Sequence, residues 1–122
     1  MFEIFVKSKK EIKFKSNQYN VKARYRDPKT IYSPTDAIKD VEVIYENKDD
    51  VSIAKIKWHD KYVVGIRWNI SLREWNDSEK MNGTKECLGM PVSRGYPTWF
   101  ILPEDITDAN SEISKAIKKI KL

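Results

Sequence analysis

With 122 residues, 40% apolar and 11% aromatic, the chain has the material for one domain with a modest core. Charged residues make up 34%, so the surface is heavily solvated, and no apolar run approaches the roughly 18 residues of a membrane-spanning helix. The net charge of +5 gathers in residues 1–30, where nine Lys or Arg face three Asp or Glu, a basic third that points to an anionic partner.

The opening MFEIFVKSKK lacks the basic start and apolar run of a signal peptide and reads as a strand, with Phe2, Ile4 and Val6 alternating against Glu3, Phe5 and Lys7. Ile12 and Phe14 alternate with Lys13 and Lys15 and make a hairpin with the first strand plausible. Tyr19, Val21, Ala23 and Tyr25 against Lys22, Arg24 and Arg26 predict a third strand with one basic face, ended by Asp27-Pro28. Ser33-Pro34-Thr35-Asp36 has the features of a helix start, and the predicted helix runs one or two turns to about Lys39. Val41 to Tyr45 predicts a fourth strand, and Asn47 to Asp50 a turn.

Residues 51–58 and 62–70 predict a hairpin joined around His59-Asp60-Lys61. The period of two places Ala54, Ile56 and Trp58 with Val64, Ile66 and Trp68 on one face, and Ile53, Lys55 and Lys57 with Gly65, Arg67 and Asn69 on the other. In that register Lys55 falls opposite Arg67, which is unfavourable unless something anionic lies between them. Residues 71–89 read as a long polar loop or excursion, of a length that tends to be functional or mobile. Thr98 to Leu102 predicts the last strand, and from about Asp108 the spacing of Ile113, Ala116, Ile117 and Ile120 predicts an amphipathic helix that packs on the sheet or meets a partner. The expected fold is α+β, a single domain over residues 1–122. It has an antiparallel sheet of about six strands, a short internal helix and a C-terminal amphipathic helix.

The chemistry of catalysis is thin. The one histidine, His59, sits at a predicted hairpin tip, and Cys87 lies in a polar loop and reads as inert. A lone cysteine excludes an internal disulfide and fits a reducing cytoplasm. One His and one Cys do not make a usual zinc site, and glycines at 65, 83, 89 and 95 do not form a phosphate loop. The reading is a non-enzymatic chain with no metal and no cofactor.

What remains is an inventory for recognition. Arg67 and Asn69 lie two apart on a strand and share a side; arginine offers a fork for phosphate, and asparagine suits a base edge or ribose. Gly95 lets the backbone at Arg94 turn and approach a ligand closely. Tyr96, Trp99 and Phe100 offer flat faces for stacking, while Lys55 and Lys57 add positive potential. The plainer alternative makes Trp99 and Phe100 core residues and pairs Arg94 with a surface acid.

GIRWN (65–69) and SRGYPTWFILP (93–103), on a small, basic, β-rich chain, resemble the Thoeris anti-defence proteins of bacteriophages, first type. The resemblance implies a sponge in the host bacterial cytoplasm. It would bind a cyclic ADP-ribose isomer made by TIR-domain enzymes, hold it intact and block immune signalling. Arg67 and Arg94 would then hold phosphates, Asn69 the base or ribose, and Tyr96 or Trp99 would stack on adenine. A single small sheet has limited concavity, so the pocket is expected at the interface of a homodimer or higher oligomer. Two rivals stand beside this: a nucleic-acid-binding module working through the basic strands of 7–29, and a protein that inhibits a host enzyme by direct contact.

Overall fold

Alternating residues from Ile38 to Trp68 build three long antiparallel strands: β1 (Ile38–Glu46), β2 (Val51–Trp58) and β3 (Lys61–Trp68). A computed structural model describes residues 22–122. After β3 come the 3-10 turn Leu72–Asn76 and the one-turn helix α1 (Ser78–Met81). Three two-residue strands follow, β4 (Val92–Ser93), β5 (Tyr96–Pro97) and β6 (Phe100–Ile101), then a 3-10 turn at Glu104–Thr107 and helix α2 (Glu112–Lys118). The fold is α+β. Its six described strands form two sheets rather than the expected one: a four-stranded sheet ordered β1-β2-β3-β6, and the small β4-β5 hairpin. The strands expected at 2–7 and 12–15 lie outside the described residues. Of the strand expected around 19–26, the described part forms an isolated parallel bridge from Tyr25 to Cys87.

Two expectations are corrected. No helix forms at Ser33. Ala37 N and Ile38 N both donate to Pro34 O in a turn, and Ile38 enters the sheet opposite Trp58. The pull of cross-strand pairing overrides the local helix-start signal. The second correction is the hairpin register. A two-residue turn, His59-Asp60, places Lys61 opposite Trp58, so Lys55 lies opposite Val64 and Arg67 opposite Ser52. The alternation within each strand is as expected, but the faces combine differently. Ser52, Ala54, Ile56, Val63, Gly65, Arg67 and Asn69 share the inward face, and no pair of opposed cations arises.

That inward face has two halves. Ile31, Ile38, Val41, Ala54, Ile56, Val63 and Trp99 form the apolar core. Trp99 lies over Gly65, where a β-carbon would collide with Ile56 Cδ1, and its indole Nε1 donates to Ile31 O at 2.9 Å. The other half is polar. Arg67 is 1% exposed and spreads its guanidinium over backbone carbonyls: Nη1 donates to Thr98 O and Pro91 O, and Nη2 to Leu88 O. Gly89, at φ 69, is the close-approach residue here, because a side chain there would meet Trp68 O and the Arg67 guanidinium. Burial pushes Arg67 down to about 10, against the favourable charge of Glu74, so it stays protonated at neutral pH.

Glu74 is the matching buried anion. Its Oε1 accepts from Ser71 N at 2.8 Å and Gly89 N at 3.0 Å, and its Oε2 from Leu88 N at 2.8 Å and Lys80 Nζ at 2.7 Å. Arg67 and Glu74 therefore hold the carbonyl and the amide of the same residue, Leu88. Trp68 and Met90 exchange backbone hydrogen bonds at 2.8 and 3.0 Å, closing the base of the 71–89 excursion. At the C-terminus, Ser111 caps α2 by accepting from Ser114 N, and Ser114 Oγ donates to Ile106 O, seating the helix on the Glu104–Thr107 turn. Ile117 and Ile120 stay exposed.

Two outcomes follow for stability. Arg67→Ala strands the carbonyls of Leu88 and Thr98, each costing about 1–3 kcal/mol when buried without a donor, while Pro91 O keeps the Thr98 N–H; urea unfolding should show a loss of about 2 kcal/mol or more. Arg67→Lys should fall between wild type and alanine, since one ammonium cannot span the three acceptors. For Glu74, burial alone would raise the pKa; the hydrogen bond from Lys80 and the three amides outweigh it and hold the carboxyl below its ordinary value. Its stabilisation is therefore complete above the unfolded-state carboxylate pKa and is lost as pH falls through the folded value. Melting temperature against pH should drop on that acid limb, and Glu74→Gln should lower stability at neutral pH while flattening the limb.

Candidate functional site

The 28–35 segment and the β4-β5 hairpin form the two walls of a cleft. Asp27 starts the first wall: its carboxylate accepts from Lys29 N at 3.1 Å, and its carbonyl accepts from Thr30 Oγ1 at 2.7 Å, closing the 3-10 turn Pro28–Thr30. The chain then runs through Ile31, anchored by the Trp99 indole, to a cis Ser33–Pro34 bond. The second wall hangs from Arg67, which holds the carbonyls of Pro91 and Thr98 at the hairpin base, where Thr98 N also donates to Pro91 O at 3.0 Å. A parallel bridge between Ser33 and Thr98 ties the walls together.

Between them lies a shallow cleft of roughly 170 Å³, lined chiefly by Arg26, Thr30, Tyr32, Ser33, Thr35 and Tyr96. Tyr96 is 64% exposed, so its ring is presented at the mouth. The turn between β4 and β5 consists of Arg94 at φ 52 and Gly95 at φ 82, two successive left-handed residues that suit a tight hairpin. Arg94 is exposed and makes no hydrogen bond or ion pair among the described residues. Arg26 is held instead: Nε and Nη2 bind Glu86 Oε1 at 2.9 and 2.8 Å, and Arg24 reaches Gly83 O and Glu86. Arg94 lies on the hairpin turn two residues before Tyr96, which lines the cleft.

The residues singled out in the sequence separate into three groups. Arg94, Gly95 and Tyr96 stay together on the exposed hairpin. Lys55 and Lys57 lie on the outer face of the four-stranded sheet, with their ammoniums 4.7 and 5.9 Å from the centre of the Tyr62 ring. Arg67, Asn69 and Trp99 are inside. Asn69 Oδ1 accepts from Ser52 Oγ at 2.7 Å and its Nδ2 donates to Asn47 O at 2.8 Å, so both ends of the amide, like the Arg67 fork, are taken up by the protein itself. The Arg94 turn and Arg67 do meet, but as tip and base of one hairpin rather than as two walls of a pocket.

Other reactive groups are quiet or distant. Cys87 is buried, and that burial, reinforced by the negative charge of Glu74, pushes its thiol up to about 11. His59 occupies the β2–β3 turn at φ 56, with its N–H on Ala37 O and its ring edge-on to Trp58. Among the described residues no three of His, Cys, Asp and Glu gather in a metal-binding arrangement, and no helix is long and apolar enough to cross a membrane. Sequence reasoning missed the wall at Thr30, Tyr32, Ser33 and Thr35. Its signal was the run of hydroxyl residues around one tyrosine, which was absorbed into a helix start. No protein-family model, no curated protein and no solved structure matches this chain.

Proposed function

We propose that the protein captures a small anionic nucleotide of the cyclic ADP-ribose class, made by bacterial TIR-domain enzymes, and holds it without cleaving it. In this reading it serves as a bacteriophage anti-defence sponge in the host cytoplasm. The observation that carries the reading is the cleft. Tyr32, Tyr96, Thr30, Ser33 and Thr35 line it, and Arg94, which has no partner among the described residues, stands on the adjoining turn. Hydroxyls suit ribose, a tyrosine face suits adenine, and a free guanidinium suits a pyrophosphate. Tyr96 stacks on the base, Arg94 holds phosphate, and Gly95 keeps the turn tight. Arg67 acts on the ligand indirectly, by fixing the hairpin that carries Tyr96, and Trp99 by anchoring Ile31 on the opposite wall, whereas Asn69 is spent on Ser52 and Asn47.

At roughly 170 Å³ the cleft is smaller than the 300–1,000 Å³ typical of sites that enclose a whole ligand. It suits one portion of the nucleotide, and a second copy of the chain completes the enclosure.

The protein should be incubated with a TIR-derived cyclic ADP-ribose isomer, freed of unbound ligand, denatured by heat, and the released material analysed. Intact ligand at near-stoichiometric yield is expected. Linear products would make the protein an enzyme, and an empty protein would remove the reading. Tyr96→Ala and Arg94→Gly should each weaken capture about tenfold or more, within the 1–3 kcal/mol range of one stacked base or one charged hydrogen bond. Tyr96 is exposed, so Tyr96→Ala should hardly move the melting temperature, and Arg94→Gly should leave it unchanged or slightly raised, since glycine suits the left-handed backbone there.

A further inference from the structure

The outer face of the four-stranded sheet carries a second set of groups that the cleft does not use. Read across the strands in register, Tyr45, Ile53, Ile66 and Phe100 form one row. Trp68 and Met90 form the next row on one side, and Tyr62 beside Lys57 lies towards the other end. Tyr62, Phe100 and Trp68 are 56%, 45% and 39% exposed, an unusual number of open rings for one face. The cleft, by contrast, is built on the layer that covers the inner face, through Ile31 and Trp99.

The lysines on this face are disposed in a telling way. Lys57 and Lys55 lie directly opposite Asp40 and Glu42 on β1. Yet among the described residues neither lysine forms an ion pair. Both ammoniums instead stand over the exposed Tyr62 ring. Their charge is thus carried towards the aromatic column of β3 and β6. The acids of β1 form a negative border along the far edge, which confines an anionic chain to the β3–β6 side.

The geometry points to a single-stranded nucleic acid on this face, with bases stacked on Phe100, Trp68 and Tyr62 and phosphates held by Lys55 and Lys57. Flat rings interleaved with cations on an open sheet are the requirement for such a strand, because every base offers a π-face and every link a negative charge. A duplex hides its base faces and would gain from the lysines alone. This site is separate from the nucleotide cleft and does not depend on it.

The test is fluorescence anisotropy of the intact protein with a labelled oligothymidine, an oligouridine and a short duplex, over a range of salt concentrations. The single strands should bind better than the duplex. Tyr62→Ala and Phe100→Ala should each weaken single-strand binding about fivefold or more. Lys55→Gln with Lys57→Gln should reduce the slope of log K against log salt by about 1.4, at roughly 0.7 per phosphate contact. Tyr62 and both lysines are surface residues near the β2–β3 turn, so those variants keep the test valid if Phe100→Ala fails to fold. Three results would overturn the proposal. One is no single-strand binding at low salt. Another is binding unchanged by both Tyr62→Ala and the lysine pair, which would assign it to basic residues elsewhere. The third is self-association abolished by Tyr62→Ala without any oligonucleotide binding, which would make the face a contact between copies.

Discussion

A buried guanidinium organises this molecule. Removing a charge from water is tolerated only where hydrogen-bond acceptors replace the solvent, and Arg67 finds them in the carbonyls of Leu88, Pro91 and Thr98. Those three residues bracket the β4-β5 hairpin, so satisfying one charge fixes the path of the chain after β3. Lysine could not do the same, because the three acceptors call for a planar fork. Glu74 completes the arrangement from the other side of Leu88, and it draws the excursion of 71–89 back onto the sheet. Arg67 and Glu74 thus grip Leu88 from either side, and the ion-pair partner of Glu74 is Lys80.

This division of the inward face separates stability from recognition. The apolar half, sealed by Trp99 on Gly65, supplies hydrophobic burial. The polar half supplies geometry: a hairpin with a rigid base and a solvent-facing tip. A short hairpin of two-residue strands would be marginal alone. Anchored at its base by a charged hydrogen-bond network, it can present Arg94 and Tyr96 in a fixed attitude to the hydroxyl-lined wall. The outer face, with its open rings, carries none of this structural duty.

The central hairpin was legible because alternation of period two over 51–68 has few other readings. Its register was not. A two-residue turn and a three-residue turn differ by a shift that recombines the faces, and His59-Asp60 carries no glycine to announce the shorter loop. The same shift explains the reading of Arg67 and Asn69 as an exposed recognition pair. Polar residues at alternate strand positions look solvated until their acceptors are known, and those acceptors are backbone carbonyls some twenty to thirty residues away. Glu74 did leave a local trace. Ser71-Leu-Arg-Glu74 has the spacing of a capping box, and Ser71 N donates to Glu74 Oε1 as that motif requires. At 93–103 the plainer alternative holds for Trp99, which is buried rather than offered for stacking, and fails for Phe100, which is exposed. Trp99 is core, and Ser93 to Tyr96 is an exposed turn whose arginine serves no internal contact among the described residues.

Arg94 sits where the backbone is left-handed, a conformation that costs an ordinary side chain about 1 kcal/mol and costs Gly or Asn much less. The turn thus holds an ill-suited residue at its first position, although a better one is a small change away. In evolutionary terms position 94 is under opposed pressures, one from the hairpin and one from whatever the guanidinium meets. A lineage that no longer needs a cation there is expected to drift to Gly or Asn, with a firmer hairpin as the by-product. Descendants that keep arginine in spite of the backbone would be those still using it.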